Sequence, residues 1–441
     1  MALTTRETFV NAQSFFRKLL CTLYQILPCS IREDKKTLLC MCEWYLIGLS
    51  LRLLLMPIAA NGDLVSTYHR SYLLLIGDYS QPTLLLKFVQ IIQAFFLILY
   101  SPVLPLHDLL YWEGSLSVSR SFFFDVFLSS PYCHTALFLF KLPYLMFDFG
   151  CSILLLHILQ GEKNLMLAHK FWAVNPIGIF ATYVFAKYEV VPIFFLLVSL
   201  YCAKQGKGLL SLFSLAIAAY DRIYPLAFLP AYLFVIGKNL RERFVLLLVG
   251  LSLFILEGLA FKSVLPGSAR GFYELWLMEL LSTQLETGLP GYPMKIHIFV
   301  LAYVLLTLYW LHSPRRGFDE LWRFALAALL VYYATAFFNP QYFAWLTPFI
   351  ALAISKYKTL IKLHLLQIIC FIFYTFQWGK GLAGYLFASI NPSFFTAIPS
   401  PAELINQFYS SEVVISLFRT ILSATCAYML LIISGQRHSD H

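Results

Sequence analysis

Asp63 is the residue whose type and position best suit chemistry in this sequence. It follows a long apolar run that begins at Leu38 and stops at Pro57, and it comes directly after the Asn61-Gly62 turn. A carboxylate at a membrane interface stays ionised near an apolar substrate, whereas one deep in hydrocarbon is driven neutral by desolvation. Asp63 is therefore a candidate general base of a membrane enzyme. The alternative is a helix-capping Asp, because Asn-Gly-Asp also suits a turn.

A second group of charged residues lies inside a later apolar run, at 134–159. It contains Lys141 and Asp148, with Pro143 between them. Charges at that depth cost at least a few kcal/mol each, so they must face a polar cavity or each other. A spacing of seven places the two on one helix face, two turns apart. They could contact a substrate, or form a structural ion pair through bending at Pro143.

Basic residues that could hold a phosphate are the third group. Arg270 has small neighbours that would let a phosphate approach, although a solvated loop Arg is the alternative. Lys262 comes just after a span and could equally be an interface anchor. Arg222 is costly to leave at membrane depth, but the adjacent Asp221 could neutralise it. Further polar candidates interrupt apolar sequence, and they could line a substrate pocket or only make turns: Glu189, Gln341 and Tyr342.

The elements that must position these residues are membrane helices. The chain has 441 residues, of which 60% are hydrophobic and only 12% charged. A soluble domain carries about 25% charged residues. Continuous apolar runs of about 20 residues, separated by short polar breaks, predict an all-α polytopic transmembrane bundle. The net charge of +9 comes from short clusters between the runs, which indicates topology signals and not a nucleic-acid surface. The nine Cys lack metal-ligand spacing, so no metal or other cofactor is expected.

The basic clusters predict which loops are cytoplasmic. We expect a cytoplasmic amphipathic N-terminus at 1–37 and a first span at 38–58 that carries Asp63 outward. An outer loop at 59–83 would hold a surface helix that ends at Gly77-Asp78. A second span is expected at 84–104. The stretch 208–237 is long for one span and short for two, and a single crossing there gives a total of 12 spans. The domain boundaries are a transmembrane catalytic module at 38–261, a large outer loop at 262–295 and C-terminal helices at 296–441 with an outer loop at 379–411.

Four short patterns carry a resemblance to a known family. They are an Asp, Tyr and Gly after the first span; a Lys-x-Pro with an Asp; an Asn-Pro, an acid and a Pro before Arg and Tyr-Pro; and an Asn-Pro-Gln-Tyr before Trp and Pro. The residues are Asp63, Tyr68, Gly77; Lys141, Pro143, Asp148; Asn175, Pro176, Glu189, Pro192, Arg222, Tyr224, Pro225; and Asn339, Pro340, Gln341, Tyr342, Trp345, Pro348. In these patterns the chain resembles the GT-C class of membrane glycosyltransferases, which use polyprenyl-phosphate sugars and include mannosyltransferases.

The resemblance implies an inverting transfer of a hexose, with mannose expected, to a lipid, glycan or protein acceptor on the outer or lumenal face. Asp63 would take the proton from the acceptor hydroxyl. A cation would neutralise the leaving phosphate. The candidates for it are Arg270, Lys262, Arg222 and Arg70. Other residues would line the substrate cavity: Tyr68, His69, Lys141, Asp148, Glu189, Gln341 and Tyr342.

Two departures from the family pattern bear on these roles. Members with a two-carboxylate Asp-x-Asp after the first span are matched only by Asp63-Leu-Val65, so no metal bridge is expected there. Arg222 stands where many relatives have Lys, so a contact with phosphate would change from a single point charge to a two-pronged guanidinium.

Two other function classes stay open: a non-catalytic subunit of a membrane complex, and a transporter of a lipid-linked sugar. The chain would lie in the plasma membrane if prokaryotic or the endoplasmic reticulum if eukaryotic, beside membrane lipids and with room for a small membrane subunit.

Overall fold

The computed structural model describes residues 24–78, 87–111, 124–260, 278, 280–287, 294–312 and 317–439. Over these residues the fold is all-α apart from one small pair of strands, as the sequence predicts. Four helical stretches are long and apolar enough to cross a membrane: Lys35–Leu55, Cys133–Ile158, Leu360–Leu382 and Ser411–Gly435. Shorter apolar helices of 10–17 residues accompany them.

The helices are numbered in chain order. In the first half they are α1 Cys29–Glu33, α2 Lys35–Leu55, α3 Gly62–Ile76, α4 Phe88–Tyr100, α5 Leu106–Leu110, α6 Cys133–Ile158, α7 Leu165–Val174, α8 Pro176–Ile179, a π-helix Phe180–Val184, α9 Val190–Lys204 and α10 Gly208–Asp221. In the second half they are a 3₁₀ turn Tyr224–Phe228, α11 Leu229–Ile236, α12 Leu240–Ala260, α13 Ile298–His312, α14 Phe318–Thr335, a 3₁₀ helix Pro340–Leu346, α15 Thr347–Lys356, α16 Leu360–Thr375, 3₁₀ segments Phe376–Leu382 and Gly384–Phe387, α17 Pro392–Ala397, α18 Pro401–Ile405 and α19 Ser411–Ser439.

Helices α2 and α6 run antiparallel and form the frame of the N-terminal half. Lys141, near the start of α6, bonds to Met56 at the end of α2. Leu156, near the end of α6, packs against Met41 near the start of α2. Because α6 begins where α2 ends, the connecting residues 59–132 start and finish at the same end of this helix pair.

Helices α3 and α4 belong to that connection, and they correct the prediction of a second span at 84–104. The helix there is only Phe88–Tyr100, and residues 84–86 lie outside the described part of the chain. A single crossing there would carry the chain to the opposite end of the α2–α6 pair, whereas α6 begins at the end where α2 stops. Helix α3 ends at Gly77 as predicted, in a left-handed conformation with φ of 73°. Its inner face is buried, so it packs into the bundle and does not simply lie on its surface.

The stretch 208–237 contains two helical legs that double back. Gly208 at its start lies so close to Ile236 at its end that a Cβ on Gly208 would be 2.6 Å from the Ile236 Cγ2. The turn between the legs comes at Asp221-Arg222, before Pro225. The prediction of a single crossing is therefore wrong, because the apolar run was long enough to hide a turn that brings its two ends together.

Strands β1 Gln284–Glu286 and β2 Lys295–His297 lie in the predicted outer loop 262–295. They pair antiparallel, with Leu285 opposite Ile296. The predicted outer loop at 379–411 folds into short helical turns. It contacts the end of α2 through a hydrogen bond of 2.9 Å from the Ala60 amide to the Leu386 carbonyl.

The last helix holds the C-terminal half together. The Phe418 ring of α19 stacks on Phe373 of α16 with 3.8 Å between centroids. Arg419 donates to the carbonyls of Tyr333 and Ala336, each at 2.8 Å, at the end of α14. The Arg419 side chain thus supplies partners to carbonyls that the helix end leaves without intrahelical donors.

Candidate functional site

Asp63 pairs with Lys187, a residue that the sequence interpretation did not include. The Asp63 Oδ2 lies 3.1 Å from the Lys187 Nζ. The two side chains stay partly open, with exposed fractions of 24% for Asp63 and 14% for Lys187. The capping role proposed as an alternative for Asp63 belongs to Asn61, whose side chain accepts the Asp63 amide at 3.0 Å. The carboxylate of Asp63 is thereby left for an ion pair beside the first turn of α3.

An irregular segment between α8 and α9 brings Lys187 to this position. The chain passes through a π-helix, Phe180–Val184, and then through Ala186, whose φ of 63° is left-handed. Such a conformation costs roughly 1–2 kcal/mol for a residue with a Cβ. The Lys187 amide then donates to the Ala181 carbonyl at 2.9 Å. The reversal turns the Lys187 side chain toward Asp63 before α9 begins at Val190.

Arg222 and Glu189 form a second, fully buried pair beside the first. The Arg222 Nε lies 3.1 Å from Glu189 Oε2, and its Nη2 bonds to the other carboxylate oxygen. The Trp345 Nε1 also donates to Glu189 Oε2, at 2.6 Å. Glu189, and not the adjacent Asp221, is thus the hydrogen-bonded partner of the guanidinium, while Asp221 Oδ1 accepts the Val89 amide at 3.1 Å. A forked pair of this kind fixes the guanidinium plane.

Aromatic rings surround the Arg222 guanidinium. Its carbon lies 4.4 Å from the centroid of Tyr188 and 5.5 Å from that of Tyr342. Tyr342 in turn stacks on Trp345 with 4.3 Å between centroids. Gln341 is buried, and its side-chain oxygen has no hydrogen-bond partner in the described part of the chain. The predicted pocket residues Glu189, Gln341 and Tyr342 therefore lie on the segments that enclose Arg222.

Positive charge accumulates around Asp63. Lys187 lies in the linker between helices, and burial lowers the pKa of its ammonium. The Asp63 carboxylate opposes that shift, while the positive charges of Arg222 and Arg70 add to it. Asp63 thus lies among cations of three separate elements, which suits the binding of an anion.

Lys141 does not pair with Asp148, so the predicted ion pair between them is wrong. Its buried ammonium donates to the Met56 carbonyl at 2.7 Å, to the Ala59 carbonyl and to the Tyr183 carbonyl at 3.1 Å. Helical periodicity placed Lys141 and Asp148 on one face of the helix, but residues two turns apart on one face can contact different parts of the neighbouring segments. Lys141 instead joins the end of α2 to the π-helix.

This contact has a direct bearing on the site. Ala59 precedes Asp63 by four residues, and Tyr183 precedes Lys187 by four. One ammonium therefore holds both chain segments that deliver the Asp63–Lys187 pair.

Asp148 pairs with Arg52 of α2, at 2.6 Å between Oδ2 and Nε. It also accepts from the Trp172 indole at 2.9 Å and the Tyr183 hydroxyl at 2.8 Å. Arg52 uses its remaining nitrogens on backbone carbonyls, including that of Ala173 at 2.5 Å. Every charged atom of this pair is engaged by protein, so the pair connects α2, α6 and α7, and both of its residues also line a small cavity of about 20 Å³.

Tyr68 and His69 are also structural. The Tyr68 hydroxyl donates to the Phe140 carbonyl at 2.5 Å, and the two rings stack with 4.1 Å between centroids. The His69 Nδ1 lies 2.6 Å from the Leu110 carbonyl oxygen. Both side chains are buried against the elements that surround α3, where they fix its orientation and hence the direction of Asp63.

An apolar cavity of about 250 Å³ adjoins the charged groups. Aromatic residues form much of its wall, among them Tyr224, Trp345, Tyr303 and Phe299. Tyr224 stacks on Trp345 with 3.9 Å between ring centroids. Because Trp345 also donates to Glu189, one residue separates an apolar space from a charged one.

Other predicted groups give no structural result. The candidates Lys262 and Arg270 lie outside the described residues. Over the described ranges, no three His, Cys, Asp or Glu side chains come together as a metal site would require.

No protein-family model, curated protein or solved structure matches this chain. Its chemistry must therefore be argued from the arrangement of its own side chains.

Two of the ion-pair residues could have been found from a signal in the sequence. Arg52 interrupts the first apolar run, where an uncompensated charge requires a partner. Lys187 stands in the same polar break as Glu189, two residues before it. The break was recognised as buried, but only its acid was selected.

Proposed function

We propose that this protein is a GT-C-like membrane glycosyltransferase that moves a hexose, with mannose expected, from a polyprenyl-phosphate donor to a lipid, glycan or protein acceptor. The observation that carries the proposal is the partly open Asp63–Lys187 pair, with Arg70 and Arg222 adding positive charge beside it. A base next to a cation-rich surface matches what transfer from a lipid phosphate requires: one group to take a proton and others to stabilise a departing anion.

The reaction proceeds in one inverting displacement. Asp63 takes the proton of the acceptor hydroxyl as that oxygen bonds to the anomeric carbon. The bond from this carbon to the phosphate oxygen breaks, and polyprenyl phosphate leaves with the electron pair. Lys187 and Arg70 are the described cations placed to stabilise that phosphate, and Lys262 and Arg270 remain proposed ligands. Arg222 contributes a positive electrostatic potential from a fixed position, because its guanidinium already makes two hydrogen bonds to the Glu189 carboxylate.

The apolar cavity gives the donor tail a place beside the same charges. Its volume of about 250 Å³ is close to the lower limit of small-molecule pockets, about 300 Å³. Trp345 lines it and also donates to Glu189. Aromatic and aliphatic walls suit an isoprenoid segment, since burial of each CH₂ contributes about 0.8 kcal/mol.

The order of contacts supports a membrane topology of twelve crossings, although not the twelve expected from the sequence. Residues 59–132 would stay on the outer side. The two legs within 208–237 would each cross, and so would the remaining long segments. Lys204 at the end of α9 donates to Ile158 at the end of α6, and Lys356 pairs with Glu162 and Asp319. The basic residues at this end favour a cytoplasmic position by the positive-inside rule, and Asp63 would then lie at the outer end.

Replacement of Asp63 tests the proposal. We expect Asp63→Asn to lower transfer from a polyprenyl-phosphate sugar by about 10²–10⁴-fold, since a positioned general base contributes that much. The assay uses purified protein in lipid vesicles with a radiolabelled donor. Asp125→Asn is the matched control: Asp125 is exposed and its carboxylate accepts the Tyr385 hydroxyl at 2.9 Å.

Four outcomes separate the function classes. Loss of transfer in Asp63→Asn alone supports the enzyme. Transfer that survives the substitution would remove Asp63 as the base. Movement of the lipid-linked sugar across the vesicle membrane without any transfer would favour a transporter, and neither activity would favour a non-catalytic subunit.

A further inference from the structure

The Asp63–Lys187 pair differs in one respect from the buried pairs Arg222–Glu189 and Arg52–Asp148: both of its side chains are partly exposed while they are in contact. Arg222 is held by two bonds to one carboxylate, and Arg52 by its carboxylate and by carbonyls. Lys187 is a flexible ammonium on a linker between helices. A lysine can redirect its point charge by bond rotation, whereas an engaged guanidinium fork cannot.

From this geometry we propose that Lys187 is a shared counter-ion. In the empty site its ammonium pairs with Asp63. When the donor binds, the ammonium moves to the donor phosphate and releases Asp63 to act as the base. This inference rests on the proposed transferase function, and it adds that the base becomes active only after the donor is in place.

The exchange follows from elementary electrostatics. An adjacent ammonium stabilises the ionised carboxylate and so lowers its affinity for a proton. Partly exposed ion pairs are weak, because water screens them and because holding two side chains costs entropy. A phosphate that enters among Arg70, Arg222 and Lys187 meets a field already positive. It can therefore displace one carboxylate from one ammonium, and the displaced Asp63 regains its proton affinity next to the acceptor hydroxyl.

The exchange also accounts for the strained approach to Lys187. Ala186 is the one non-glycine residue with positive φ among the described residues. Backbone strain of this kind persists where the surrounding structure imposes it, and it occurs often at functional sites. Here it places the root of the Lys187 side chain within reach of Asp63 on one side and leaves the side chain partly exposed on the other.

Binding of polyprenyl monophosphate, measured without any transfer, tests the exchange. The probe is added to the purified full-length chain in nanodiscs, and its Kd is measured by native mass spectrometry. Because Asp63 competes with the phosphate for Lys187, we expect Asp63→Asn to bind the probe about three- to tenfold more tightly than the natural chain. An inactive variant would thus bind the lipid better.

The double-mutant cycle identifies the residue responsible. Lys187→Met should weaken binding about tenfold, and in that background Asp63→Asn should no longer tighten it. Lys187→Gln repeats the measurement if the Met variant does not fold. Asp125→Asn should leave the Kd unchanged.

Two results would overturn the inference in distinguishable ways. Binding by the natural chain that is equal or weaker in Asp63→Asn would exclude the exchange and leave the transferase proposal intact. A natural chain that neither binds polyprenyl monophosphate nor transfers sugar would exclude both.

Discussion

Two ion pairs near the C-terminal end of helix α2 differ in what surrounds them. Arg52–Asp148 lies within the bundle, and the Trp172 indole, the Tyr183 hydroxyl and a backbone carbonyl complete its hydrogen bonds. Asp63–Lys187 lies just beyond the end of the same helix and remains partly exposed. The first pair connects α2, α6 and α7. The second connects the first turn of α3 to the strained linker before α9.

The difference shows how to separate structural charges from working charges in a membrane bundle. A buried charge must have its partners in place, because removal of one leaves the other uncompensated. A working charge must retain some exposure, since a ligand has to replace one of its contacts. The depth of a charged residue in the membrane does not distinguish a structural charge from a working one, whereas the completeness of its hydrogen bonds within the protein does.

The largest expected effect is on stability, at the closed pair. Arg52→Met leaves Asp148 as an unpaired buried carboxylate, so we expect a loss of about 3–5 kcal/mol. Thermal unfolding in detergent measures it. The double variant Arg52→Met/Asp148→Leu should recover most of that loss. If Arg52→Met unfolds at the same temperature as the natural protein, the Arg52–Asp148 pair does not stabilise the bundle as described above.

The next effect concerns Lys141, which connects the two segments of the open pair. Lys141→Met keeps the length of the side chain but removes its bonds to Met56, Ala59 and Tyr183. A misplaced catalytic group can cost about 10²-fold, so we expect kcat to fall by about that factor. KM for the donor should change less than threefold.

A purely structural role for Lys141 would give a different result. The specific activity of the folded fraction would then stay natural, with only the yield reduced. Asp125→Asn again serves as the control for handling and reconstitution.

The pH dependence of transfer sharpens the description of the open pair. Burial lowers the pKa of Lys187, so its charge is lost at a lower pH than that of an exposed lysine. Activity that depends on the ammonium should therefore fall on the alkaline side, by up to about tenfold per pH unit above that pKa. Arg stays protonated over this range, so Lys187→Arg should move the fall to higher pH. An unchanged alkaline limb in Lys187→Arg would exclude Lys187 as the titrating group.

The smallest expected effect is at Ala186. Glycine tolerates the left-handed conformation, so Ala186→Gly should raise the free energy of unfolding by less than about 1 kcal/mol. Thermal unfolding checks this value. A destabilised Gly variant would mean that the methyl group of Ala186 contributes packing that outweighs its strain.

The sequence predicted individual helices better than it predicted their partners. Cys133–Ile158 lies within one residue of the predicted span at 134–159. A hydropathy pattern predicts this helix because most of its residues are apolar. It could not separate α4 from a true span, because a short apolar helix packed on protein has the same composition as part of a membrane helix. The prediction for 208–237 failed for a related reason, because the combined length of its two helical legs fits neither one crossing nor two.

The candidate site was recovered in part. Glu189 and Arg222 were selected singly and proved to be bonded to each other. Lys141 and Asp148 were correctly recognised as intramembrane charges but were assigned to each other, because spacing on one helix carries no information about the helices that face it. Lys187 was missed, since its position depends on the π-helix and on the φ of Ala186, and neither has a sequence signal.

The lengths of the helices near the site have a consequence for the lipid around them. The segments Val190–Lys204, Gly208–Asp221 and Tyr224–Ile236 have 15 residues or fewer, against 26 in Cys133–Ile158. At about 1.5 Å per residue they reach only about 20–23 Å, less than a bilayer core of about 30 Å. If these segments cross the bilayer as proposed, the lipids next to them would compress or tilt to match. The membrane would then dip beside the charged residues, so that a phosphate head group reaches them without leaving its leaflet.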